Sequence, residues 1–149
     1  MRSYVKSALD AATLAATPAP GTQIKSSTDT AFTLFYGKFR SQAPKLSKPL
    51  SSIENKIKES RNSAPSASPS SVLWQEYESL LHDCQNSYFG CRSQLLLPSV
   101  RSAVQELAQN HKRDHCGLVR AGCAFLLHIC EDEYQLFHQF FDQDSEHLK

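Results

Sequence analysis

Residues 114–141 read DHCGLVRAGCAFLLHICEDEYQLFHQFF. Val119, Cys123, Leu126, Cys130, Tyr134, Phe137 and Phe141 recur in steps of four and three, about 3.7 residues on average, close to the 3.6-residue period of an α-helix. At ~100° per residue, Leu118, Phe125, Leu127 and Ile129 widen this stripe to an arc of roughly 200°. Arg120, His128, Glu131, Gln135 and Gln139 fall on the remainder. A helix apolar over more than half its circumference needs several neighbours to cover it. The spacing therefore predicts the central helix of an all-α bundle, with Cys123 buried mid-stripe and His128 on the polar side.

The segment before it repeats the rule. From Val72 to about Gln109, Leu73, Tyr77, Leu80, Cys84, Tyr88, Cys91 and Leu95 follow the same steps of four and three. Ser70 or Ser71 is placed to cap this helix. Pro98 is expected to bend it rather than end it, because Val100, Val104 and Leu107 resume the stripe. Residues 110–113 form a short polar connection, and short connections join antiparallel helices. Residues 72–141 thus read as a long antiparallel hairpin turning near His111–Arg113, its register a reflection about residue 112. Residues 142–149, DQDSEHLK, read as a disordered tail.

Working back toward the N-terminus, residues 61–71, RNSAPSASPSS, form a flexible Ser/Pro linker. Residues 31–60 form a helix interrupted at Pro44 and Pro49, each of which removes a backbone donor. Its aromatic stripe is Phe32, Phe35, Tyr36 and Phe39, and Leu46, Leu50, Ile53 and Ile57 continue the seam. Residues 17–30 contain Pro18, Pro20 and Gly21 and read as a loop, with Asp29 or Thr30 as the next cap. Residues 1–16 read as a short helix with Tyr4, Val5, Ala8, Ala12 and Ala15 on one side. Met1 already lies in that pattern, so this helix reads as one cut off upstream. No strand pattern or solenoid repeat is visible.

The 149 residues suffice for one modest core. The net charge of +1 gives no overall drive toward nucleic acid or membrane. Residues 1–71 carry ten Lys/Arg against four Asp/Glu, and residues 72–149 six against eleven, so the halves could attract each other or face different partners. There is no secretory signal pattern. The longest apolar run, Ala121 to Ile129, is about half the length that spans a bilayer, and His128 interrupts it. The five cysteines are odd in number and sit in helical patterns, which fits a reducing compartment, the cytosol.

Three groups of residues invite chemistry. Cys116, Cys123 and Cys130 are seven apart, as are Cys84 and Cys91. Seven helical residues rise ~10.5 Å, whereas zinc thiolates converge within ~2.3 Å of one ion. One helix cannot supply two of them to one metal, so the cysteines read as small core hydrophobes, with metal or redox use as the alternative. His111 and His115 stand four apart but lack the HExxH glutamate and sit at a polar turn, which suits capping or solvation. His128 lies near Arg120, Glu131 and Asp132 and reads as part of a surface charge network. The aromatic stripe with Lys38 and Arg40 resembles a nucleic-acid stacking patch, but helical spacing makes it core or a helix-partner surface. No phosphate loop, nucleophile motif or carboxylate pair is present. Catalytic, cofactor-binding and metal residues are therefore assigned as none.

AFTLFYGKFRSQAPKL, QEYESLLHDCQNSYFGCRSQLLLPSV and RDHCGLVRAGCAFLLHICEDEYQLFHQFF resemble, in this order along the chain, the family of third subunits of the conserved oligomeric Golgi complex. The resemblance covers about Ala31 to Phe141 apart from the Ser/Pro linker. It implies a subunit of a vesicle-tethering complex on the cytosolic face of the cis-Golgi, held there peripherally. Its expected work is intra-Golgi retrograde transport and maintenance of Golgi resident proteins, by protein–protein interaction. The implied partners are the other subunits and, through the complex, SNAREs and small GTPases, with no nucleic acid. The implied architecture is a longer rod of stacked helical bundles preceded by a coiled coil. The family protein is several times longer, so both ends of this chain read as cut short. The Ser/Pro linker and DQDSEHLK depart from the family pattern. Two other readings are a cofactor- or metal-binding helical-bundle enzyme and a generic cytosolic helical adaptor.

Overall fold

Helix α4, Ser70–Asn110, is the spine of the molecule. The computed structural model describes residues 1–17, 28–63 and 70–141. Most of the predicted 17–30 loop, the centre of the 61–71 linker and the 142–149 tail lie outside the described residues. At 41 residues, α4 is roughly 60 Å long, and it continues through Pro98. Its inner stripe is Cys84, Tyr88, Cys91 and Leu95, all buried. Leu80 is half-buried against them and Leu73 is exposed.

The other helices lay apolar faces along this spine. Helix α1, Arg2–Ala16, buries Val5, Leu9, Ala12 and Ala16, a four–three–four stripe. Tyr4 and Ala15, expected on that face, are exposed instead. The face is turned by about one residue, because Leu9 offers more apolar surface to α4 than Ala15 does. Arg2 ties the start of α1 to Asp83 at 2.8 Å, and Cys91 Sγ lies 3.7 Å from Asp10 Oδ1. The two helices therefore run parallel.

Helices α2, Thr28–Arg40, and α3, Ala43–Ser63, form one broken rod antiparallel to α4. The break falls at Ser41–Gln42, just before Pro44, whose nitrogen cannot donate to the preceding turn. The Gln42 N–H turns back to Phe39 O at 2.9 Å, and Gln42 O starts α3 by accepting from Lys45 and Leu46. Pro49 sits inside α3 without ending it. Phe32, Phe35, Tyr36 and Phe39 are all buried, as are Leu46, Leu50, Ile53 and Ile57. At the far end Arg61 pairs with Glu78 at 2.7 Å and lies 6.0 Å over the Trp74 ring.

Helix α5, His115–Phe140, folds back along α4. Asp114 caps it, its Oδ1 accepting from the Gly117 N–H at 2.9 Å. A Cβ at residue 117 would collide with that carboxylate in its present rotamer, so a larger residue there would make the Asp114 side chain shift. Asp114→Ala is expected to lower stability by ~1 kcal/mol, with Asp114→Asn near neutral, read by urea denaturation. Arg92 faces Glu133 and Phe89 faces Phe137, which puts the antiparallel register's reflection point between residues 112 and 113.

The spacing predicts α5 as the central helix, but α4 holds that place. Leu136, Phe137, Phe140 and Phe141 are buried, but Val119 is 65% and Leu127 71% exposed, and Leu126 and Tyr134 are exposed too. Its half-buried face is Leu118, Gly122, Phe125 and Ile129, about 100° round from the expected stripe. Cys116, Cys123 and Cys130, read as core, are exposed, while Cys84 and Cys91 are buried. The reason is placement. The aromatic core centres on Tyr88, and α5 reaches it only with its last turns.

Candidate interaction surface

Two features of the α4–α5 hairpin have no place in a simple apolar core. One is a buried ion pair. Arg92 is 2% exposed, and its guanidinium forks onto Glu133 at 3.1 and 2.5 Å. The same guanidinium lies 4.6 Å over the Phe39 ring and 4.9 Å over the Tyr36 ring. One side chain thereby joins α4 to α5 by charge and to α2 by cation–π contact. Burial, and then the Glu133 carboxylate, push the Tyr36 and Tyr88 phenols well above their usual range. Both phenols stay protonated near neutral pH.

This clamp escapes a reading based on apolar periodicity. Arg92 directly follows Cys91 and lies beside an apolar stripe, which is the one trace of it in the sequence. Glu133 is the third acid in Glu131–Asp132–Glu133, and nothing local singles it out. Its partner lies 41 residues away.

The second feature is an uncovered apolar face. Phe89, Leu97 and Val104 on α4 and Val119, Leu126 and Tyr134 on α5 are exposed large hydrophobics. Between Leu95 and Leu136 the only buried apolar side chain among the described residues is Ala103. On the opposite side the hairpin is covered, where Phe32 of α2 meets Phe125 at 6.1 Å.

The residues considered for metal or catalysis are not drawn together. Among the described residues no three His, Cys, Asp or Glu side chains are arranged to hold a metal ion. His111 Nδ1 lies 3.1 Å from the Leu107 carbonyl oxygen and donates to it in the turn. His115 is exposed at the start of α5. His128 is an exposed residue 3.5 Å from Asp132. Burial, its largest influence, pushes the thiols of Cys84 and Cys91 upward; Asp83 adds to this at Cys84, and Thr13 opposes it at Cys91. These two are poor nucleophiles. No described helix is long and apolar enough to cross a membrane.

The expected cost of Cys123→Asp changes with its position. Burial would have made the carboxylate cost several kcal/mol. At an exposed site the expected change is within ~0.5 kcal/mol, the same as for His128→Ala. Urea denaturation of both variants checks this.

A family profile described as "Conserved oligomeric Golgi complex subunit 3, C-terminal" matches residues 32–149. The chain belongs to this family. Conserved oligomeric Golgi complex subunit 3 of Mus musculus is 42% identical over 120 residues, 80% of this chain and 13% of that protein. The Aedes aegypti subunit 3 is 34% identical over 150 residues, 99% of this chain and 15% of that protein. The Saccharomyces cerevisiae subunit 3 is 37% identical over 71 residues, 46% of this chain and 9% of that protein. The chain thus spans about one seventh of the animal relatives it matches. No solved structure matches it. The clamp and the uncovered face both lie inside the region matched to the subunit 3 family.

Proposed function

We propose that this chain serves as part of a subunit of the Golgi tethering complex, acting by protein–protein contact and not by catalysis. The observation that carries the reading is the family match over residues 32–149. The work it performs there is intra-Golgi retrograde transport and maintenance of Golgi resident proteins. Its partners are the other subunits and, through them, SNAREs and small GTPases. It is held peripherally on the cytosolic face of cis-Golgi membranes. The uncovered apolar face supports an interaction role, because large apolar side chains left exposed side by side on one face mark a binding surface more often than chance.

Two experiments test the reading. Tagged chain recovered from cells should bring down other subunits of the complex, identified by mass spectrometry, and recovery without any of them would sink it. In membranes carrying a full-length relative with these residues in place of its own, alkaline carbonate should release the protein. Retention after carbonate would contradict peripheral attachment.

A further inference from the structure

Helix α5 holds one charged side chain where its pattern calls for none. At ~100° per residue, its large apolar side chains fill an arc of roughly 200°, from Phe125 round to Leu127. Glu133 stands near the middle of that arc, and no other Asp, Glu, Lys or Arg of α5 falls inside it. On one side of Glu133 lie Leu118, Phe125, Ile129, Leu136 and Phe140, the side turned toward the other helices. On the other lie Val119, Cys123, Leu126, Cys130 and Tyr134, all exposed. A turn of the helix by about 100° would exchange the two sides. Phe137 and Phe141 would then take the directions in which Leu136 and Phe140 now point. Apolar burial is non-directional and follows area, so it separates the two orientations only weakly.

We propose that the Arg92–Glu133 pair is a rotational lock that selects between these orientations, and so decides which apolar side of α5 faces outward. The pair is directional where the rings are not. Arg92 Nε and Nη2 reach the two Glu133 oxygens at 3.1 and 2.5 Å, a fork whose geometry admits one placement of the carboxylate. Nη1 is buried and has no hydrogen-bond partner among the described residues, so the guanidinium depends on Glu133 alone there. The Phe39 and Tyr36 rings hold the cation from the α2 side at 4.6 and 4.9 Å, which fixes where it sits. Turned by about 100°, α5 would carry Glu133 out to the direction Asp132 now takes and would set Tyr134 toward Arg92. A guanidinium 2% exposed would then stand without an anion, the arrangement that costs a buried ion most. A single buried polar contact fixes the register of coiled coils for the same reason.

Thiols read the orientation. Leu136, fully buried, marks the inward side, and Cys123 and Cys130 mark the outward one. In the chain carrying Leu136→Cys, the introduced thiol should stay protected from maleimide while Cys123 and Cys130 react as free thiols, as read by peptide mass mapping. Adding Arg92→Met with Glu133→Leu removes the lock and keeps the site apolar. The introduced thiol should then react at least ~30-fold faster, and Cys123 and Cys130 at least ~2-fold more slowly. Cys84 and Cys91, buried on α4, should remain protected in both chains. A thiol at position 136 equally protected with and without the pair would overturn the proposal and leave the aromatic contacts to set the orientation. So would a rise shared by Cys84 and Cys91, which marks loosening of the whole bundle and not rotation. Arg92→Lys, which keeps the charge and gives up the fork, decides the matter where the double variant does not fold. It should raise the rate of the introduced thiol by ~10-fold, and no rise would overturn the proposal.

Discussion

Arg92→Ala is expected to destabilise the chain by about 3–5 kcal/mol. The guanidinium is nearly sealed from solvent, and its removal leaves the Glu133 carboxylate, 23% exposed, without its cation. It also removes two of the ring contacts that join α2 to the hairpin. Urea denaturation gives the magnitude, and the partner variants give the cause. Glu133→Gln should cost less, because the amide oxygen still accepts a hydrogen bond from Arg92. The double variant Arg92→Met with Glu133→Leu should recover most of the loss, since apolar replacement of a buried pair is often neutral or stabilising. A double variant as unstable as Arg92→Ala would mean that the rings, not the charge pair, set the value of this site. An Arg92→Ala loss below ~1 kcal/mol would show the pair to be solvated in solution.

The other large effect centres on Tyr88. Its ring meets Phe39, Phe137, Phe140 and Phe141 at centroid distances between 5.3 and 6.2 Å. These contacts join α2, α4 and the end of α5 in one aromatic cluster. Tyr88→Ala should cost about 3–5 kcal/mol, the range for deleting a large core ring. Tyr88→Phe should behave oppositely. The hydroxyl is buried with no hydrogen-bond partner among the described residues, so deleting it relieves a desolvation cost. The expected change is neutral to about 1 kcal/mol more stable. A Tyr88→Phe variant less stable than the parent by more than ~1 kcal/mol would reveal that the hydroxyl is bonded. Both variants are read from the same urea titration, with unchanged m-values as the sign that the comparison is sound.

The periodicity in the chain sufficed for the helices and for several buried faces. The Cys84, Tyr88, Cys91, Leu95 stripe is the face its spacing marked for burial, although Phe89 and Leu97 on the same helix are apolar and exposed. The Phe32, Phe35, Tyr36, Phe39 stripe is buried as well. The family, too, was legible, because three stretches of local sequence carry the resemblance and need no tertiary information.

Helix α5 shows where periodicity ends. It is apolar over more than half its circumference, so several rotations satisfy the same spacing, and the stripe through Cys123 was one of them. The choice belongs to the neighbours that the chain brings up. Here they are Phe32 against Phe125, Tyr88 against Phe137 and Phe140, and Arg92 against Glu133. Each joins residues more than 40 apart, and no local pattern encodes such a meeting. The sequence by itself determined an all-α chain, its helices and its family. The tertiary structure alone decided that α4 is the spine, that an arginine is buried beside it, and that Val119, Cys123 and Leu126 face outward. Helix formation depends on neighbours three and four residues away, whereas burial depends on which distant helix arrives.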